Sequence, residues 1–152
     1  MIELKVTGTE ETQNALRAAG FDIEKVFAGA LVAGCFVISN DAKDRCRKLT
    51  GNAARSIHIG YAGSDVTPIQ PEGDGLTVRQ MPATPGIIVR IAGDLEKDGR
   101  VELLVGTDVW YTWGLEFTYG YPFLRPALDE NKQEVHAEVR RALQQVIRKV
   151  AQ

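Results

Sequence analysis

Cysteine, histidine and net charge are all scarce in this chain, and each shortage removes a class of function. Only Cys35, Cys46, His58 and His136 represent the soft and imidazole ligands. Neither histidine has a second His or Cys at metal-ligand spacing, so a zinc site would have to be assembled wholly by the fold. On one helix the two thiols would stand ~16 Å apart, too far to bridge, so two buried free thiols are expected, as suits a reducing compartment. The formal net charge of −2 gives no overall pull toward nucleic acid, which usually needs a concentrated basic face. No apolar run approaches the ~20 residues of a membrane span. Residues 1 to 6 alternate apolar and charged as a strand does, without the basic start and apolar block of a signal peptide. G-x-S-x-G, Walker and dinucleotide patterns are all missing, and Ser39, Ser56 and Ser64 stand in no nucleophile context. The expectation is a protein made and folded in the cytoplasm, with no membrane contact, no cofactor, no metal and no catalytic residues, hence not an enzyme.

What is present is an ordinary globular composition. With 152 residues, 44% hydrophobic and 25% charged, the chain suits a single domain over 1–152 that buries about two thirds of its unfolded surface. The first strand is followed by a helix with early acidic residues that stops at Gly20. Asp22 then caps a second helix in which Ile23, Val26, Phe27, Ala30, Leu31, Gly34, Val37 and Ile38 keep three-four spacing, continued by Ala42, Cys46 and Leu49 and ended by Gly51. Its middle carries Val32, Cys35 and Phe36 on the remaining faces, so it needs cover from more than one side. Residues 56 to 61, 87 to 92 and 100 to 106 read as strands, the last two joined by a turn from Gly93-Asp94 to Asp98-Gly99 into a hairpin. Pro126 suits the first position of a final helix whose stripe is Leu128, Val135, Val139, Ala142, Leu143, Val146, Ile147 and Val150. This order implies an α+β fold, an antiparallel or mixed sheet with long helices packed on one face.

Residues 62 to 86 break the pattern. Gly63, Gly73, Gly75, Gly86, Pro68, Pro71, Pro82 and Pro85 leave little to pack, and loops this long are usually functional or disordered. Leu76, Val78 and Met81 could sit on a hairpin arm that orders against another subunit.

The most distinctive text lies near the end. Val105-Gly106-Thr107 leads into Trp110-Tyr111, then Leu115-Glu116-Phe117, then Pro122-Phe123-Leu124-Arg125-Pro126-Ala127-Leu128. Proline disfavours the α conformation in the residue before it, so two prolines around Phe-Leu-Arg predict an extended, rigid strap. Together with Thr50-Gly51-Asn52 and Ser56-Ile57 upstream, this order resembles the tail-component family of long-tailed bacteriophages, the neck and tail-completion proteins. The resemblance covers roughly residues 1 to 60 and 87 to 150. It implies a virion structural protein with a ring-forming neck or tail-completion fold, joining head to tail. Its partners would be itself, as a ring of usually six copies, and adjoining neck and tail proteins, with DNA at most passing through the lumen. Within that class the tail terminator is the runner-up; from another class, a small nucleic-acid-binding protein is the rival.

Candidate interface residues follow from both readings. Glu116, flanked by Leu115 and Phe117, is expected to be partly buried and to need an arginine, for which Arg55 and Arg125 are the candidates, within the molecule or across a subunit boundary. Trp110, Tyr111 and Phe117 suit core or protein interface better than base stacking, since no Arg or Lys is interleaved with them. Phe123 is expected to insert into an apolar pocket. Basic residues gather at Lys43, Arg45, Arg47, Lys48 and Arg55 and at Arg140, Arg141, Arg148 and Lys149, late in helices where the dipole favours cations; the alternative is that one group lines a channel or meets an acidic partner.

Overall fold

Period-two and three-four patterning each produce the expected element types in a computed structural model, which describes residues 2–7, 10–46, 51–61, 79–80, 87–95, 99–107, 109–150 and 152. The order is β1 (Ile2–Thr7), α1 (Glu10–Ala18), α2 (Ile23–Arg45), α3 (Asn52–Ser56), β2 (His58–Tyr61), β3 (Arg79–Gln80), β4 (Ile87–Leu95), β5 (Gly99–Thr107), α4 (Thr112–Phe117) and α5 (Leu124–Val150). The strands form one mixed sheet in the order β1-β4-β5-β2-β3. The hairpin is longer than its turn signals imply, because the ladder runs from Ile87 opposite Thr107 to Leu95 opposite Gly99 and takes Gly93 and Asp94 into the strand. β1 pairs parallel with β4, Leu4 opposite Ile91, while β2 pairs antiparallel with β5 and parallel with β3. The fold is α+β, as the element order implies.

Helices α2 and α5 lie side by side on the same face of the sheet, α2 across β5 with β2 and β4, α5 reaching β4 and β1. Their axes run antiparallel, with Gly34 of α2 against Val135 and Val139 of α5 and Arg45 paired to Glu130. The core between helices and sheet holds Phe27, Leu31, Ile38, Leu103, Val105, Phe123, Leu124 and Leu128, each worth ~1.5–3 kcal/mol of burial. The double cover explains why apolar residues occupy nearly every face of α2: Val32 and Cys35 are buried, and among the described large apolar side chains of the helix Phe36 is the one left substantially exposed. Residues Lys25–Arg45 are in fact long and apolar enough to cross a membrane by length and composition, contrary to the sequence reading, and most of that stretch is buried within the fold. A helix enclosed by a sheet and a second helix passes the same test as a span.

The ends of the helices follow local chemistry. Asp22 accepts the Lys25 N–H at 3.4 Å and caps α2 as expected. The far end departs from expectation: α2 stops at Arg45, and Cys46 turns extended (φ −62°, ψ 130°) with its N–H on the Ala42 carbonyl and its thiol in the core. Leu49 lies outside the described residues. Gly51, at φ 74°, opens α3 and does not close α2, and α3 takes Ser56 out of the strand assigned to it. Both cysteines are buried. Of the segment 62 to 86, only β3 is described, so Leu76, Val78, Met81 and the proposed arm lie outside the described residues.

Candidate functional site

The region from Thr107 to Pro126 gathers most of the buried polar groups and most of the exposed aromatic surface. Its backbone is not an extended strap. α4 forms a single helical stretch after β5, and Leu124 and Arg125 already belong to the first turn of α5, which places Pro126 at the third helical position and not the first. The restriction that Pro126 puts on Arg125 is offset by hydrogen bonds from the N–H groups of this first turn.

Those bonds go to Glu116. Only 6% exposed, its carboxylate accepts the Phe123 N–H at 2.8 Å and the Leu124 N–H at 3.0 Å on Oε2, and the Arg125 N–H at 2.7 Å on Oε1. Phe123 is the residue whose carbonyl accepts the first helical bond, from Ala127. A helix start leaves four N–H groups without intrahelical partners; here three are taken by one carboxylate, and the fourth position is proline, which has none. The charge also lies at the positive end of the helix dipole. The expected arginine partner is therefore corrected: Glu116 is compensated by backbone donors. The Arg125 guanidinium meets Asp129 at 3.7 Å, and Arg55 donates to Asn52 Oδ1 at 2.7 Å on α3.

α4 is closed by the same economy. The Gly114 carbonyl accepts the N–H groups of Thr118 and Tyr119, and Leu115 accepts that of Tyr121. Gly120 makes the intervening bend at φ 72°, the left-handed region open to glycine. The Tyr119 ring lies so close over Gly114 that a Cβ there would stand 2.7 Å from the ring.

A second chain of hydrogen bonds anchors the region to α3. The Val109 N–H donates to Thr107 Oγ1 at 3.1 Å, Thr107 Oγ1 lies 2.5 Å from Ser56 Oγ, and Ser56 lies 2.7 Å from the Ala53 carbonyl. Since Ser56 has one proton and the carbonyl can only accept, Ser56 donates to Ala53 and Thr107 donates to Ser56. Thr112 donates to the Val109 carbonyl at 2.5 Å. His58 Nδ1 is 2.8 Å from the Ser56 carbonyl and so carries the proton there. With each hydroxyl proton committed to a structural acceptor, Ser56, Thr107 and Thr112 hold the backbone in place. Among the described residues, no three His, Cys, Asp or Glu side chains converge as a metal site would.

On this framework the aromatic side chains point outward. Trp110 is 84% exposed and Tyr119 66%, and Trp113, Phe117 and Tyr121 are exposed as well. Trp110 meets Tyr111 edge-on at 5.9 Å between centroids, and Trp113 meets Phe117 at 5.4 Å. Of the interface candidates, Trp110 and Phe117 are thus displayed at the surface, Tyr111 is half-buried against the core, and Phe123 is wholly buried among core residues. Arg55 is held on α3 by Asn52, apart from Glu116 and Arg125 in its bonding. Sequence reasoning missed the Ser56–Thr107 link and the internal role of Glu116, although both lie in the motifs that carried the resemblance.

Compared with family models, curated proteins and solved structures, the chain finds no match in any of the three.

Proposed function

We propose that this protein is a structural component of a phage virion, a neck protein that joins head to tail or completes the tail by assembling with copies of itself and with adjoining rings. The observation that supports an assembly role is the aromatic surface of Trp110, Trp113, Phe117, Tyr119 and Tyr121, exposed together on a backbone that Glu116 and Thr107 hold fixed. Contiguous exposed apolar surface marks sites that meet a partner, and Trp, Tyr and Phe are the residues enriched at protein interfaces. The virion assignment rests on the order of the motifs, Thr50-Gly51-Asn52 with Ser56-Ile57, Val105-Gly106-Thr107, Glu116-Phe117 and residues 122 to 128. The reading requires no cofactor, no metal and no catalytic group, and DNA would meet the protein only as it passes.

Negative-stain microscopy of particles labelled with an antibody to this chain tests the reading. Label at the collar between head and tail is expected; label elsewhere, or particles of normal composition without the chain, would sink it. A Trp110→Ser/Phe117→Ser variant should keep the parent's melting temperature yet leave unjoined heads and tails, since both rings are exposed and contribute little to the monomer's core.

A further inference from the structure

We infer that the groove between α2 and α5 receives the last turns of α5 from a second copy of this chain, in a head-to-tail contact. The groove is about 590 Å³, with Ala33, Phe36 and Val37 on its apolar side and Asp41, Asp44, Glu134 and Glu138 around it. Phe36, 40% exposed, supplies a ring that the fold leaves uncovered. Two of the carboxylates are engaged within the copy: Asp41 pairs with Arg45 and accepts a hydrogen bond from Asn131, and Glu138 pairs with Arg141. Asp44 and Glu134 have no partner among the described residues. An acidic groove with an exposed aromatic ring suits cations on long aliphatic stems, which cover apolar surface while the charged head meets a carboxylate.

The end of α5 presents such groups. Arg148 and Lys149 are exposed and have no partner among the described residues, and they follow the half-buried Val146 and Ile147. They cannot reach the groove of their own copy. Lys149 lies fifteen residues beyond Glu134 on the same helix, a separation of roughly 22 Å, and α2 runs antiparallel, so the end of α5 faces the opposite end of α2. The complementary charges can meet only between copies. Because groove and tip are different surfaces, the contact is heterologous and repeats from copy to copy until it closes or extends. The inference rests on the self-assembly part of the function proposed above.

Charge exchange in the full-length protein tests it by sedimentation velocity at low and high salt. The parent should self-associate at low salt and dissociate as salt screens the pairs. Asp44→Lys/Glu134→Lys and Arg148→Glu/Lys149→Glu should each weaken self-association by about tenfold or more, and an equimolar mixture of the two should recover it, since each then offers the other a matching surface. All four side chains are exposed; if the lysine variant melts early, the neutralising Asp44→Asn/Glu134→Gln pair replaces it in the self-association measurement alone, where weakened association is the expected result and unchanged association overturns the contact. A parent that stays monomeric at low salt, a variant that associates like the parent, or a mixture that fails to recover overturns the contact. Recovery in the mixture alongside antibody label away from the neck would keep the contact and remove the neck reading; label at the neck without recovery would do the reverse.

Discussion

Glu116 illustrates how one carboxylate can settle a helix start. Glu116→Ala would leave three N–H groups without their acceptor and one helix end without its charge, and a loss on the order of 3 kcal/mol is expected in urea denaturation. Arg125→Ala removes only an exposed pair with Asp129 and should cost less than about 0.5 kcal/mol; a larger loss there than at Glu116 would contradict the capping account. Phe123→Ala should cost about 3–5 kcal/mol because its ring is fully enclosed and the cavity cannot collapse completely. The sequence shows Glu116 between two apolar residues and so reveals burial, but not the compensation. Burial of a charge predicts some partner; that the partner is the backbone seven to nine residues on depends on a bend at Gly120 that no pairwise spacing encodes.

At the level of elements, the meeting of α2 and α5 depends on Gly34. A Cβ there would stand 2.9 Å from both Val135 Cγ1 and Val139 Cγ2, so Gly34→Ala should push the helices apart. A cost of about 1–3 kcal/mol is expected, measurable as a lower melting temperature, and Val139→Ala in the same chain should relieve part of it. A Gly34→Ala variant as stable as the parent would mean that the helices are free to separate. Long periodic elements were the legible ones: the stripe from Leu128 to Ile147 turns one face of α5 toward the core, and its period reveals it. α4 was not legible. It is six residues long with a glycine inside, too short to hold itself by propensity, and it exists because Thr112, Glu116 and the Gly114 carbonyl each find partners beyond it. The parallel pairing of β1 with β4 was hidden for a similar reason, since alternation assigns a face but not a neighbour.

For the molecule as a whole, Cys35 offers a reporter of global opening. Burial pushes its thiol well above the ordinary range, and the neutral form is a poor nucleophile. Alkylation of Cys35 should therefore follow the unfolding equilibrium, slow in water and accelerated by urea; rapid labelling of the folded protein would show that α2 is open locally. The same shift gives a sign to pH dependence: above the ordinary thiol range the unfolded chain gives up a proton that the folded chain keeps, so stability should fall as pH rises there. DNA binding should be weak with a steep salt dependence, because the net charge is −2 and only local patches can meet phosphate; tight binding at physiological salt in filter assays would favour the nucleic-acid rival. The Glu116 clasp has a further consequence at this scale. By tying the chain after the aromatic loop back to α4, it fixes the backbone that carries Trp113, Phe117, Tyr119 and Tyr121, so under the assembly role proposed above the entropy of ordering that backbone is lost during folding and not during association. Under the same proposal, loosening the clasp with Glu116→Gln should shorten the lifetime of assembled particles even under conditions where every subunit remains folded.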